Sequence, residues 1–275
     1  MYKILLVLLI MATTQLFAFS DIDMDGVEDK NDRCPNTPMS DLVDINGCSK
    51  KTLKIINNYT SLHHFDIIVG VNYSSDNYDK LEESDTSSSS LQLDYYYKNF
   101  SIQASTSYYD SHSVTYNDNG IADSFLGAYY KFTPIQNLDL RVGGGAIIPT
   151  YNSELKNNNT DYTASLSLSY MFKKINLFGG YNYVIVNDND TDYVKYQNTN
   201  GYNIGIGFYP SLKTYISASY NKSNSIYTNI DDIDTASLYG FYSINNNWFT
   251  TLNYAYGLSD TASDNYLSLR VGYYF

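Results

Sequence analysis

Residues 265–275 read NYLSLRVGYYF, and this stretch decides the fold. Its apolar and aromatic residues occupy every second position, namely Leu267, Leu269, Val271, Tyr273 and Phe275. The positions between them hold Tyr266, Ser268, Arg270, Gly272 and Tyr274. A period of two predicts a β-strand with one apolar face and one wetter face. Since a long apolar strand at an open sheet edge is an aggregation hazard in water, we expect both of its edges to be paired.

The same alternation recurs from residue 65 onward, in units of about ten residues separated by polar connections. We predict twelve strands, which begin near Phe65, Ser90, Phe100, Asp123, Leu138, Tyr162, Ile175, Gly201, Thr214, Thr235, Trp248 and Asn265. Short turns are predicted at residues 98–99, 133–137, 173–174, 210–213 and 245–247. Longer acidic or Ser/Asn-rich loops are predicted at residues 76–89, 110–122, 149–161, 187–200, 222–234 and 258–264.

Short turns that alternate with long loops, together with an even strand number, predict an all-β fold: a transmembrane antiparallel up-and-down β-barrel of about 12 strands. The 31 tyrosines support this, because tyrosine suits interfaces that are apolar on one side and wet on the other. We expect two interfacial aromatic girdles from Tyr95, Tyr97, Tyr129, Tyr130, Tyr170, Phe172, Tyr181, Tyr183, Tyr273 and Phe275. A soluble β-sandwich is the competing all-β fold and does not explain these aromatics. The net charge of −12 argues against nucleic-acid binding.

The terminal strand resembles that of Gram-negative outer-membrane proteins, in which a last Phe, here Phe275, is part of what the assembly machinery reads. The resemblance implies a location in the cell outer membrane. It implies the lipid bilayer, lipopolysaccharide and the outer-membrane assembly machinery as partners. In OmpA-type outer-membrane proteins a peptidoglycan-binding domain often accompanies the barrel; we expect none after Phe275, so anchoring to the cell wall is not expected.

Residues 1–18 have the pattern of a signal peptide. Lys3 provides the positive region, residues 4–12 the apolar core, and Ala18 the small residue at a cleavage site. The apolar run is shorter than the roughly 20 residues that a membrane-spanning helix needs. We therefore divide the chain into a signal peptide (1–18), a calcium-binding segment (19–48), a linker (49–62) and a barrel (63–275).

The segment DIDMDGVEDKNDRCPNTP, which begins at Asp21, places carboxylates at alternate positions before a glycine turn. Hard cations such as calcium take about six to eight oxygen ligands, and a tight glycine lets the chain wrap the ion. The string resembles a thrombospondin type 3 repeat. By that resemblance the calcium ligands are Asp21, Asp23, Asp25, Asp29, Asp32 and the carbonyl of Val27. The alternative is an acidic, solvated linker that binds no ion.

Cys34 and Cys48 are the only two cysteines. An even pair in an exported chain predicts a disulfide, which would stabilise the segment by about 3 kcal/mol in the chain-entropy model. Two free thiols or intermolecular pairing are the alternatives. His63 and His64 stand where the linker meets the first strand, and neighbours on a strand point in opposite directions, so we expect an interface position rather than a metal pair.

The inward-facing parity of the predicted strands contains charged residues, and we select Asp66, Asp94, Lys98, Arg141 and Arg270 as candidates that line the lumen. Charges that face lipid cost about 2–4 kcal/mol for Arg or Lys near the midplane, so Arg141 and Arg270 are expected to point inward, opposed to Asp66 and Asp94. They form either a selective constriction or structural ion pairs that plug a narrow barrel. Four inward glycines are expected to leave space in the lumen: Gly143, Gly145, Gly205 and Gly207.

An enzyme is not expected, because outer-membrane hydrolases need a histidine to activate a nucleophile or water, and outside the first join only His112 is present. The sequence favours a narrow pore for passive passage of small solutes. The alternative is a non-conducting structural or surface-interaction barrel of adhesin-like type. The acidic outer loops are expected to attract cations or to bridge lipopolysaccharide through divalent ions.

Overall fold

The computed structural model describes Arg33 and residues 63–79, 82–114, 117–151, 159–191 and 194–275. The predicted signal peptide, the calcium ligands, both cysteines and the linker lie outside the described residues. Residues 61–275 form one compact unit, and the description below concerns that unit. Among the residues described, no helix is long and apolar enough to cross a membrane.

The described part of this unit is built from antiparallel strands. They are β1 (His63–Asp79), β2 (Glu82–Tyr97), β3 (Phe100–Ser113), β4 (Asn117–Ile121), β5 (Ser124–Ile135), β6 (Leu138–Ile148), β7 (Asp161–Phe172), β8 (Ile175–Ile185), β9 (Thr199–Ser211), β10 (Thr214–Ser223), β11 (Ile233–Ser243), β12 (Trp248–Gly257) and β13 (Asn265–Tyr274). Most strands begin within a few residues of the position predicted from the sequence.

The strands form a closed ring of twelve wall positions. Apart from β4, each strand pairs with the strands on either side of it in the chain, and β1 pairs with both β2 and β13, which closes the barrel. The short strand β4 pairs with the far end of β3, whereas β5 pairs with the near end, so the two together fill one position. The predicted closed antiparallel barrel and the pairing of the last strand on both edges are confirmed.

Two predicted loops are partly strand. Most of residues 76–89 and 110–122 belong to β1, β2, β3 and β4. These segments are rich in Ser, Thr and Asn and carry no apolar alternation, so the hydrophobic pattern did not mark them. They pair through backbone bonds and polar side-chain bonds such as Thr86 Oγ1 to Ser111 Oγ at 2.9 Å. A sheet that is wet on both faces needs no apolar residues to pair.

Alternate side chains separate an outer from an inner surface. On β1, Val69 is 53% exposed and Val71 58%, whereas Asp66 is 5% and Ile68 8% exposed. The exposed apolar residues continue around the wall and form the belt that lipid requires. One end of the barrel carries the tight turns, such as 98–99 and 173–174, and we call it the short-turn end. The opposite end, with the connections near residues 149–160 and 186–198, is the long-loop end.

Candidate functional site in the barrel lumen

The pairing of β1 with β2 places two predicted lumen residues directly opposite each other. Asp66 and Asp94 are cross-strand partners, and both are buried. The Asp66 Oδ1 atom is buried without a hydrogen-bond partner among the described residues. Two adjacent carboxylates repel each other, so this part of the wall requires positive charge or water nearby.

Arg270 of β13 supplies part of that charge through a relay. Its guanidinium donates to Gln92 Oε1 at 2.7 Å, and Gln92 Nε2 donates to Asp94 Oδ2, also at 2.7 Å. A Cβ on Gly70 would lie 2.8 Å from the Arg270 Cγ. Glycine at position 70 therefore lets the arginine side chain lie close against the inner face of β1.

Arg141 of β6 lies on the inner surface and reaches the same region from beyond β3 and β5. Its guanidinium lies over the ring of Tyr129, 3.8 Å from the centroid, and donates to Ser101 Oγ at 3.4 Å. Tyr129 was predicted in an interfacial girdle, and this assignment is wrong. The prediction followed the run of aromatics at 129–130, but cross-strand pairing with Gly143 puts Tyr129 on the inner surface and leaves Tyr130 outside.

Lys98 does not join these residues. It lies in the turn between β2 and β3 with a φ of 52°, and its ammonium group is 5.3 Å from the ring centroid of Tyr97. The residues brought together near the short-turn end are therefore Asp66, Asp94, Arg141 and Arg270. The ion pairs among the described residues lie elsewhere, for example Lys131 with Asp139 and Lys222 with Asp232.

Aromatic rings fill part of the lumen at the short-turn end. Rings contact one another in the pairs Tyr209–Tyr215, Tyr215–Tyr239, Phe241–Phe249 and Phe249–Tyr274, with centroids 4.6 to 6.2 Å apart. Sequence reasoning did not assign these rings to the lumen. The available signal was their parity, because each shares the inward face with polar residues of its own strand.

The inward glycines were expected to leave open space in the lumen, but the structure shows that they do not. A Cβ on Gly143 would overlap the ring of Tyr129, one on Gly207 the ring of Tyr215, and one on Gly272 the ring of Phe249. Phe125 similarly covers Gly145, and Phe178 covers Gly205. Each ring lies flat over a glycine of the adjacent strand, so these glycines admit an aromatic side chain.

The long-loop half of the lumen is lined by small polar side chains. Asn182 and Asn203 point inward and are nevertheless exposed, in contrast to Asp94 and Asn176 near the short-turn end. A cavity of about 350 Å³ follows this wall; its lining includes Ser165, Ser167, Gly180, Asn182, Gly201, Asn203 and Asn221. Inward residues that remain accessible indicate room for water inside this half.

The mouth at the long-loop end is acidic. Asp188 Oδ1 accepts a hydrogen bond from the backbone N–H of Asn159 at 3.3 Å. Burial raises the pKa of the Asp188 carboxyl; the Asn159 hydrogen bond opposes this, and the charges of Asp161 and Asp123 raise the pKa further. Carboxylates from several connections therefore act on one another across the mouth.

Two of the three histidines stack on tyrosines of β2. His63 stacks on Tyr97 and His64 on Tyr96, with centroids 4.7 and 4.3 Å apart. His112 lies beside Asp110 at 3.3 Å on the outward parity of β3 and is exposed. In the part of the chain that the structure describes, no group of three or more His, Cys, Asp or Glu residues could hold a metal ion.

A closed twelve-position antiparallel barrel with an apolar outer belt and a polar inner wall defines the fold class as a β-barrel of the outer-membrane type. No family model matches the chain, and no curated protein matches it in sequence.

Solved structures share the fold. The KdgM porin aligns with a TM-score of 0.51 at 11% identity, over 77% of this chain and 99% of that chain. The NanC porin aligns at 0.48 and 14% identity, over 77% and 98%. The translocator domain of the autotransporter NalP from Neisseria meningitidis aligns at 0.45 and 13% identity, over 78% and 88%. At such identities the likeness to the KdgM porin is one of fold, and the two lower scores add no argument.

Proposed function

We propose that the protein is a non-enzymatic outer-membrane pore for the passive passage of small solutes. The observation that carries this proposal is the accessible inner wall of the long-loop half. Asn182 and Asn203 face inward yet remain exposed. Among the described residues, no large side chain is completely buried, as a packed, solid core would require. A barrel of this strand number lies between filled eight-strand and open sixteen-strand barrels.

The short-turn half supplies the selective step of the proposed pore. The cluster of Asp66, Asp94, Arg141 and Arg270 and the surrounding rings narrow the path there. Charged side chains arranged around a narrow, low-dielectric passage select ions by the sign of their charge. Two carboxylates face two guanidinium groups at this level, so selectivity depends on a near balance of charge.

Recording from single molecules in planar lipid bilayers tests the pore. We expect discrete conductance steps from protein whose folding is verified by its shifted gel mobility without heating. Folded protein that inserts and remains electrically silent at all voltages contradicts the proposal. Heat-denatured protein from the same preparation serves as the control for contaminating channels.

The proposed orientation places the long-loop end outside the cell and the short-turn end in the periplasm. An even number of strands returns the chain to its starting side, and Phe275 N–H donates to Phe65 C=O at 2.9 Å. Outer-membrane barrels carry short turns on the periplasmic side. Protease added to intact cells is expected to cut only the long loops. In this arrangement lipopolysaccharide surrounds the long-loop end, and the outer-membrane assembly machinery inserts the barrel.

The proposal extends to the N-terminal segment, which we propose binds calcium in the periplasm. Its support is the donor set in the sequence, with alternating Asp21, Asp23 and Asp25 before Gly26. Calorimetric titration of the full-length protein is expected to show a calcium site that the double variant Asp23→Asn, Asp25→Asn lacks. Unchanged calcium binding in that variant contradicts the assignment. A Cys34–Cys48 disulfide is tested by peptide mapping with and without reductant.

A surface-interaction barrel is the second candidate function, and the height of one side of the wall favours it. Strands β1 and β2 have 17 and 16 residues, whereas β10, β12 and β13 have 10 each. Crossing the bilayer takes about 9–11 residues, so β1 and β2 project beyond it. Loss of cell adhesion without loss of conductance after shortening this hairpin supports a separate surface role.

A further inference from the structure

A recess lies at the long-loop mouth of the lumen, apart from the charged cluster near the short turns. It has a volume of about 420 Å³ and is lined by Thr86, Tyr109, Ser111, Asp118, Ala122, Asp123 and Tyr151. The residues come from β2, β3, β4 and the connections that follow β4 and β6. The register brings Tyr109 opposite Gly120, so the tyrosine ring lies along the inner face of β4.

Two tyrosines and one carboxylate form the centre of the recess. The hydroxyl groups of Tyr109 and Tyr151 both donate to Asp118 Oδ2, at 2.6 and 3.2 Å. The two rings have centroids 5.8 Å apart and are tilted by 51°. Because Asp118 holds both hydroxyl groups, the rings have fixed positions, and donation to a carboxylate makes each phenol richer in electrons.

The hydrogen-bonding polarity of the recess is one-sided. Both phenol protons are directed to Asp118, and one proton of the Thr86–Ser111 hydroxyl pair is used within that pair at 2.9 Å. Asp123 adds a second carboxylate, held by the Tyr151 backbone N–H at 3.1 Å. Among the residues that the structure describes, the lining of the recess includes no lysine, arginine or histidine. A ligand that fits must therefore bring donors and positive charge.

We propose that this recess is a capture site for organic cations with N–H donors, either primary ammonium or guanidinium groups, at the entrance of the pore. Aromatic faces attract such cations, and a carboxylate at their edge accepts the N–H bonds. The inference deepens the proposed pore function and rests on it, because capture at the mouth precedes passage. The same chemistry disfavours anions, which meet two carboxylates, and offers the acceptors of a neutral polyol only the one remaining hydroxyl proton of the Thr86–Ser111 pair.

Calorimetric titration of the full-length, detergent-folded protein with butylammonium tests the site, and butyrate and 1-butanol serve as probes of equal size. We expect saturable heat from butylammonium and none from the other two. Asp118→Asn keeps an oxygen acceptor for both tyrosines but removes the charge, and is expected to weaken butylammonium binding about tenfold. Tyr151→Leu removes one ring and is expected to weaken it severalfold.

Asp85→Asn is the matched control for the loss of one charge. Asp85 also accepts a tyrosine hydroxyl, from Tyr73 at 2.8 Å, but it is exposed on the outward parity of β2. Equal weakening by Asp85→Asn and Asp118→Asn means general electrostatic attraction and overturns the site. Equal binding of 1-butanol also overturns it.

The result separates the site from the pore. Saturable butylammonium binding in a protein that stays silent in bilayers means that the site stands and the pore proposal fails. Conductance without butylammonium binding means that the pore stands and the capture site is wrong.

Discussion

The two halves of the lumen use the same strands but different inward-facing residues. Near the short turns, guanidinium groups, carboxylates and aromatic rings crowd together, as in the relay from Arg270 through Gln92 to Asp94. Toward the long loops, smaller Ser and Asn side chains line the wall, and Asn182 and Asn203 are exposed. The comparison shows that the alternation of a barrel strand sets which residues face inward, and the size of those residues sets the open width.

Crowding in the short-turn half depends on glycines that lie beneath aromatic rings, whereas Gly180 and Gly201 in the open half lie against smaller amide side chains, those of Asn203 and Asn182. A ring such as Tyr129 can lie flat against the wall only if its cross-strand neighbour, Gly143, has no side chain. Glycine weakens a strand by itself, and its aromatic neighbour compensates by covering the bare backbone. The four predictions below test the difference between the short-turn half and the long-loop half of the lumen.

The largest expected effect is on stability. Gly143→Ala puts a methyl group into the ring of Tyr129 and against Ala128 C=O, so the free energy of unfolding should fall by about 1–3 kcal/mol, as in other overpacked sites. Gly240→Ala is the control, because its Cβ would meet no atom nearer than the Leu252 carbonyl at 4.0 Å. Urea unfolding in lipid vesicles measures both. Equal losses at the two positions would contradict the role of ring-covered glycines.

The second effect is on ion selectivity. Arg270→Ala leaves Asp66 and Asp94 opposed by Arg141 alone, so the short-turn half gains net negative charge and the channel should shift several-fold toward cations. Reversal potentials under a salt gradient measure the shift. Asn203→Ala in the open half should leave the reversal potential unchanged. No shift in Arg270→Ala would mean that ions pass without meeting the cluster.

The third effect is on conductance. Ser165→Phe projects a ring into the cavity of about 350 Å³ in the long-loop half, and the available room should let the barrel fold normally. Single-channel conductance should fall modestly, because the narrower short-turn half still sets most of the resistance. A fall as large as complete block would show that the long-loop half is the narrowest part.

The smallest effect is expected outside the lumen. Lys222 pairs with Asp232 at 3.0 Å and with Asp234 at 3.3 Å at the long-loop rim. These side chains are partly exposed, and ion pairs that water and salt can reach contribute little because they are screened. Lys222→Met should change neither the midpoint of urea unfolding nor the reversal potential. A clear change in either would mean that the rim contributes to the properties assigned here to the lumen.

The strand pattern was largely predictable from the sequence, and its failures have physical causes. The starts of β6, β8 and β10 agree with the prediction because apolar residues alternate there on the lipid-facing side. The parts of β1 and β2 at the long-loop end were not predicted as strand, because strands that project into water need no apolar face. Tyr129 was misplaced because a pair of adjacent aromatics does not reveal which one points outward.

The lumen charges were predictable as a set but not as an arrangement. Parity alone selected Asp66, Asp94, Arg141 and Arg270. The relay through Gln92 joins residues 178 positions apart, and only barrel closure brings β13 beside β1. Lys98 shares the inward parity, but the left-handed backbone of the turn carries it out of the wall.

By itself the sequence determined that the chain forms a barrel, how many strands cross the wall and which residues face lipid. These properties follow from local alternation and from the solvent on each side of a strand. The tertiary structure alone decided which rings cover which glycines, how Arg270 reaches Asp94 and that Tyr109, Tyr151 and Asp118 meet at the mouth. These contacts depend on strand register across the closed ring, which brings distant residues together without any local signal.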